Sequence, residues 1–380
     1  MSLFNDDDCR ILIISQRTRR DGFGRQPGYV ISIEAEDVLA AATGADMAFI
    51  EDAPSDARIK ARRIAGRQLR RLSHSGQMVP AILPGRTPVE TPAKSYDVGI
   101  FIGFTSWDLP LLERMPELRE RCDRLMAWFP EVWTSDVDSP TARYEPFDLV
   151  DHLFAGMVGG SEKLRGITNT PVHYLPMAVD VTRFAPAMWP QPRPIDVLGI
   201  GRRNPALHES LLDWSRKTGK LYVYDTIAGA TVPDVPAHRT NLGDTYARTN
   251  IALTSYAKID QPEVTQGERE VPGRLWEGLA GGAVMVGQAP RAEIQERAVG
   301  RTVVTDLPQS PAEAVEVISE VAGKATDAER MANTSLALRS HDWAHRWRQS
   351  FLDMGLPVPP GIDARIDELA TMATTVENAL

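Results

Sequence analysis

The strongest constraint on this chain is a repeated alternation. Short apolar runs of strand length are separated by stretches that read as helices, and the pattern occurs twice. In the first half the apolar runs are residues 10–15 (RILIIS), 46–50 (DMAFI), 97–104 (DVGIFIGF), 123–129 (DRLMAWF), 148–154 (DLVDHLF) and 172–175 (VHYL), with a helix over 34–42. Runs of this kind fit strands buried on both faces. Strands alternating with helices predict βαβ units and a doubly wound parallel sheet.

The stretch 186–194 (PAMWPQPRP) holds four prolines, which exclude a continuing helix or a central strand, and it reads as an interdomain linker. The alternation then restarts. Strands are predicted over 195–200, 221–224, 251–254, 283–286 and 302–304. Helices are predicted over 206–217, 273–279, 311–321 and 327–338, with a helical tail over 361–379. Asn204 followed by Pro205 is a helix start, an N-cap side chain before a first residue that needs no amide partner. The expected domains are therefore 1–185, a linker over 186–194, 195–355, and a C-terminal helical tail over 356–380.

A chain of 380 residues is the right length for two such domains. Its net charge of −9 argues against a nucleic-acid binder, which needs clustered Lys and Arg. Cys9 and Cys122 provide neither a zinc spacing nor a disulfide framework, and both are expected as free thiols. The acidic start lacks an apolar leader and no apolar run reaches membrane-spanning length, so a cytoplasmic protein is expected.

Three segments, in order, resemble one family. LPMAVDVTRFAP (175–186) is similar to a phrase found where the chain crosses between the domains of GT-B glycosyltransferases. DVLGIGRR (196–203) resembles the first strand and glycine turn of their donor domain. VPGRLWEGLAGGAVMVG (271–287) resembles their RLFEALACGAPVV signature, and HDWAHRWRQ (341–349) the segment that closes the domain. The resemblance is to the glycosyltransferase group 1 families and their spore-protein-like relatives, and runs from Leu175 to Phe351. It implies two Rossmann-like domains facing each other across a cleft, with the C-terminal helix returning to the first. It also implies transfer from a nucleotide-diphosphate sugar, with UDP favoured, to a polysaccharide, glycolipid or other glycoconjugate.

The residues give this a physical basis. Gly201, after a strand, lets the backbone approach a phosphate, and Arg202 or Arg203 would pair with a diphosphate as a planar fork. Gly273 and Arg274 open a helix whose free amides suit an anion. The resemblance gives Glu277, one turn in, the ribose hydroxyls. Tyr224, Asp225, Ser255 and Tyr256, at strand ends, would flank the base or serve as caps. Many relatives carry a second glutamate eight residues before the first. Here that position is Arg269, between Glu268 and Glu270.

Candidates for a base that deprotonates the acceptor are Asp21, Asp108 and Glu131. Glu131 is favoured, because Trp128, Phe129 and Trp133 would desolvate it and stack on a sugar face. No metal or cofactor is expected beyond the nucleotide sugar as co-substrate. The DVD at 136–138 reads as a loop, His152 as a core histidine, and His341 and His345 lack a third ligand for zinc. The basic stretch 57–72 reads either as a contact with anionic lipid, placing the protein peripherally on an inner membrane, or as a solvated helix face. Arg17, Arg19, Arg20 and Arg25 could instead line an anionic acceptor site. Two other functions fit the same residues: a sugar-nucleotide epimerase of the same fold, or a non-catalytic nucleotide-sugar-binding protein.

Overall fold

The computed structural model describes residues 10–18, 27–51, 88–138, 146–225, 231–288 and 303–379. The predicted calls on Asp21, Arg19, Arg20, Arg25, Cys9 and the basic stretch 57–72 lie outside the described residues. The chain divides into two compact units, Met1–Pro176 with Ser350–Pro357, and Met177–Gln349 with Val358–Leu380.

Unit 1 is built on six parallel strands: β1 (Ile11–Ser15), β2 (Asp46–Phe49), β3 (Tyr96–Ile102), β4 (Cys122–Phe129), β5 (His152–Ala155) and β6 (Val172–Tyr174). Their order is β2-β1-β3-β4-β5-β6. Helix α1 (Val30–Thr43) makes the first crossover and ends on Gly44, whose φ of 65° gives the left-handed C-cap. Helix α2 (Val158–Arg165) joins β5 to β6. The central strands β1 and β3 are buried almost end to end, as in Ile11, Leu12, Ile13 and Ile14, while the edge strand β2 is largely exposed.

Two local expectations for this unit change. The strand predicted over 148–154 begins only at His152, after a 3-10 turn over Phe147–Leu149. Asp151 marks the break: its Oδ2 accepts the Leu125 amide at 2.7 Å, and its carboxylate pairs with Arg119. Segment Ser106–Arg114, assigned to no element by sequence, is a 3-10 helix.

Unit 2 carries five parallel strands: β7 (Ile195–Gly199), β8 (Tyr222–Tyr224), β9 (Thr249–Thr254), β10 (Val284–Gly287) and β11 (Val304–Asp306), in the order β11-β10-β9-β7-β8. Its longer helices are α3 (Pro205–Thr218), α4 (Val235–Ala247), α5 (Gly273–Ala280), α6 (Pro311–Lys324), α7 (Asp327–Ser340) and α9 (Pro360–Glu377), while α8 (Trp343–Asp353) begins in unit 2 and ends in unit 1. The predicted start of α3 is observed in full: Asn204 Oδ1 accepts the Ala206 and Leu207 amides at 2.9 and 3.3 Å, with Pro205 first in the helix. Helix α4 was not anticipated, although Asp234 caps it by accepting the Ala237 amide at 3.0 Å. The last strand lies two residues beyond its predicted place.

The division between units falls at Pro176/Met177, inside the phrase LPMAVDVTRFAP, rather than at 186–194. The proline stretch is tied into unit 2. Arg193 donates to the carbonyls of Tyr246 (3.3 Å), Thr249 (2.6 Å) and Gly281 (3.0 Å), and its guanidinium lies over the Trp189 ring. The tail helix α9 likewise belongs to unit 2, not to the first domain as expected. Arg365 on α9 bridges two buried carboxylates, Asp180 at 2.8 Å and Asp342 at 2.8 and 2.9 Å. Burial acts to raise the Asp180 carboxyl, but Arg365 and bonds from Thr182 and Arg183 hold it below its ordinary value.

Candidate active site

In an open α/β sheet ligands bind beyond the carboxyl ends of the strands, where the strand order reverses. In unit 2 the chain runs from β7 outward to β8, then back across β7 to β9, so the reversal lies between β7 and β9. A pocket opens at that point. Its lining combines apolar side chains, Leu207, Tyr222, Leu253, Ile259 and Leu307, with the basic Arg202, Arg203 and Arg274.

The glycine turn after β7 carries two of these arginines. Gly201 has φ of 76°, in the left-handed region, and a Cβ there would stand 2.9 Å from Arg274 Nη2. Its amide donates to Asp225 Oδ2 at 2.9 Å. Asp225 Oδ1 also accepts from Arg203 Nη2 at 2.9 Å, so one carboxylate, just past β8, fixes both the turn and the arginine. Arg203 lies over the Tyr224 ring, and Arg202 pairs with Asp260 at 2.7 Å on the surface.

Arg274, the second residue of α5, is placed differently. Its Nη1 donates to the carbonyls of Ile200 (3.0 Å) and Arg202 (2.6 Å). Among the described residues it makes no ion pair, so its charge faces the pocket with no carboxylate against it. Burial pulls its pKa down, while more distant Tyr246, Glu277 and Asp225 act the other way. Pro272 provides no side-chain cap for α5, and Gly273 opens the helix beside Arg274.

Two hydroxyls at the end of β9 complete the lining. Thr254 Oγ1 and Ser255 Oγ are buried without a hydrogen-bond partner among the described residues, and both residues line the pocket. His208, on the first turns of α3, was missed by sequence reasoning. Its Nδ1 lies 3.0 Å from the Tyr222 hydroxyl, and burial, then Arg203, lowers its pKa. The one signal available was its spacing of four from the cap Asn204, which turns it toward the strand ends.

Of the ten residues predicted for the donor, Arg202, Arg203, Ser255 and Arg274 line this pocket, and Gly201 and Asp225 shape it. Tyr224, Tyr256, Gly273 and Glu277 are not part of its lining. Tyr256 lies under Arg269. Glu277 is buried, and its Oε1 is taken by Arg239, itself packed over the Phe184 ring. Packing accounts for this: the helix is buried from Leu275 through Ala280, and Glu277 meets Arg239 there although its spacing of three puts it on the same side of the helix as Arg274.

The base candidates of unit 1 are placed less favourably. Asp108 is a helix cap: its Oδ2 accepts the Phe104 amide at 2.9 Å and the Thr105 amide at 3.3 Å, in a capping box. Glu131 is half-buried and accepts from Trp133 Nε1 at 3.4 Å. The aromatic platform expected beside it is absent from the surface: Trp128, Phe129 and Trp133 are 0% exposed and form core. His152 is partly buried, with its Nδ1 3.0 Å from His173 Nε2. Arg17 is ion-paired with Glu36 and Asp37.

The whole chain can be compared with solved structures. It matches an alpha-glucosyltransferase, solved in complex with UDP and a 13-mer DNA containing a central A:G mismatch. The TM-score is 0.53 at 11% identity, over 91% of this chain and 99% of that one. The fold is GT-B. AviGT4, a glycosyltransferase involved in avilamycin A biosynthesis, matches at a TM-score of 0.43 and 14% identity, over 92% and 99% of the two chains. A trehalose-6-phosphate synthase also matches at 0.43, with 12% identity over 95% and 99%. No protein-family model matches the sequence, and no curated protein matches it. Among the described residues no helix is long and apolar enough to cross a membrane.

Proposed function

We propose that this GT-B chain is a glycosyltransferase that holds a nucleotide-diphosphate sugar, a UDP-sugar in the favoured case, in the unit 2 pocket. The observation that carries this is Arg274. It is a cation without a carboxylate partner among the described residues, facing a pocket at the reversal point of a parallel sheet. A diphosphate would neutralise it, with Arg202 and Arg203 in the same lining, and the apolar side chains suit a nucleobase. The alpha-glucosyltransferase that shares the fold was solved with UDP, which agrees with this reading.

In the reaction the C–O bond from the sugar to the diphosphate breaks, and an acceptor hydroxyl forms the new bond at the same carbon. Negative charge then builds on the departing diphosphate. Arginines and amides already fixed in place stabilise that charge without reorganising, so the proposed reaction needs no metal. The acceptor is a polysaccharide, a glycolipid or another glycoconjugate. The residue that takes its proton is proposed to lie in unit 1.

A thermal-shift panel of UDP, GDP, ADP and TDP sugars tests the donor. A ligand at a hundred times its Kd should stabilise the folded protein by about 2.7 kcal/mol. Arg274→Ala should lose that response. A panel in which no nucleotide raises the melting temperature would refute the assignment.

A further inference from the structure

Unit 1 has its own reversal point, between β1 and β3, and a small cavity opens there. Ser32 and Glu36, one turn apart on the same face of α1, both line it, together with Gln16, Arg17 and Gly103. Glu36 is 2% exposed. All its hydrogen bonds among the described residues fall on one oxygen: Ser15 Oγ and Arg17 Nε each donate to Oε2 at 2.7 Å. Oε1 accepts nothing from the described residues. Ser32 is 5% exposed, and its Oγ also lacks a partner among the described residues.

A carboxylate oxygen with no bond from the described residues and a hydroxyl therefore line the same cavity, and leaving the buried Ser32 hydroxyl unpaired costs about 1–3 kcal/mol. An alcohol matches both, since its O–H donates to a carboxylate oxygen while its own oxygen accepts from the serine. We propose that this cavity binds one hydroxyl group of a polyhydroxylated ligand, between Glu36 Oε1 and Ser32 Oγ. Arg17 holds the carboxylate in place by its grip on Oε2 and on Asp37, at 2.8 Å. Burial pushes the Glu36 carboxyl up to about 7, against Arg17 and Ser15. Near neutrality it can accept from a hydroxyl or donate to one, as suits a neutral ligand. Identifying the ligand as the sugar acceptor rests on the proposed function; the binding itself does not.

Saturation-transfer NMR with methyl glucoside and methyl galactoside tests the site on the full-length protein. Wild type should give a signal, and Ser32→Val, which fills the cavity, should abolish it. Ser32→Ala, which removes only the hydroxyl, should weaken binding about fivefold, the worth of one hydrogen bond of about 1 kcal/mol. This variant serves if the valine does not fold. Both variants should keep the nucleotide thermal shift of wild type. The proposal is overturned if neither hexoside binds wild type, if the serine variants bind as wild type does, or if methylammonium alone binds. A protein that binds hexoside through Ser32 but ignores every nucleotide would support this site while refuting the proposed donor pocket.

Discussion

The Gly201 amide donates to Asp225 Oδ2 at 2.9 Å, which locks the turn after β7 to the end of β8. The bond joins the ends of two neighbouring strands, next to the reversal between β7 and β9, and it leaves the left-handed glycine facing Arg274. A substitution at either end should therefore act on the pocket before it acts on the fold.

Gly201→Ala combines two penalties. An alanine at φ of 76° costs on the order of 1 kcal/mol of backbone strain, and its Cβ would stand 2.9 Å from Arg274 Nη2. The arginine tip can move, so the protein should fold, with a loss of about 1–2 kcal/mol by urea denaturation. Nucleotide binding, followed by calorimetry, should weaken at least tenfold because Arg274 is displaced. Undiminished binding would mean that Arg274 has no part in the site.

The Arg239–Glu277 pair should behave as structure rather than as a ligand contact. Both side chains are almost fully buried, at 4% and 10% exposure. Removing only the arginine leaves an uncompensated carboxylate inside unit 2, so Arg239→Leu should cost about 3–5 kcal/mol. The double variant Arg239→Leu, Glu277→Leu should recover much of that. A recovery of less than about 1 kcal/mol in the double-mutant cycle would contradict the pairing.

Glu36 makes stability depend on pH in a defined direction. Its folded value is raised to about 7 from an ordinary 4.5, so the folded protein holds the extra proton between those values. The carboxyl therefore contributes stability below about pH 4.5, and that contribution is lost as pH rises through 7, on the order of 3 kcal/mol in all. Glu36→Gln cannot ionise. Its melting temperature should fall less than that of wild type between pH 5 and pH 8. Parallel curves would show that the carboxyl does not titrate in that window.

Asp108→Ala separates a cap from a base. Loss of the capping box should cost about 0.5–2 kcal/mol of stability and leave kcat within a few-fold of wild type at a temperature where both are folded. A loss of several orders of magnitude in kcat, with the fold intact, would restore Asp108 as a catalytic candidate.

The sequence determined the elements because their signals are local. Apolar runs of strand length marked β1, β3, β4, β7 and β9, and Asn204-Pro205 marked the start of α3 to the residue. Arg274 was placed at the start of a helix the same way, from a residue string whose helix and turn leave little choice of geometry. Tertiary structure decided which polar groups meet. Glu277 and Arg274 are three residues apart on one helix, yet only packing turned one inward to Arg239 and left the other facing the pocket. Asp108 and Glu36 are both acids near strand ends. Contacts with Phe104 and Thr105 made the first a cap. Ser15 and Arg17, 21 and 19 residues from Glu36 along the chain, bind the second on one oxygen only. A carboxylate's role depends on what its two oxygens touch, and partners that far apart in sequence are brought together only by the folded sheet.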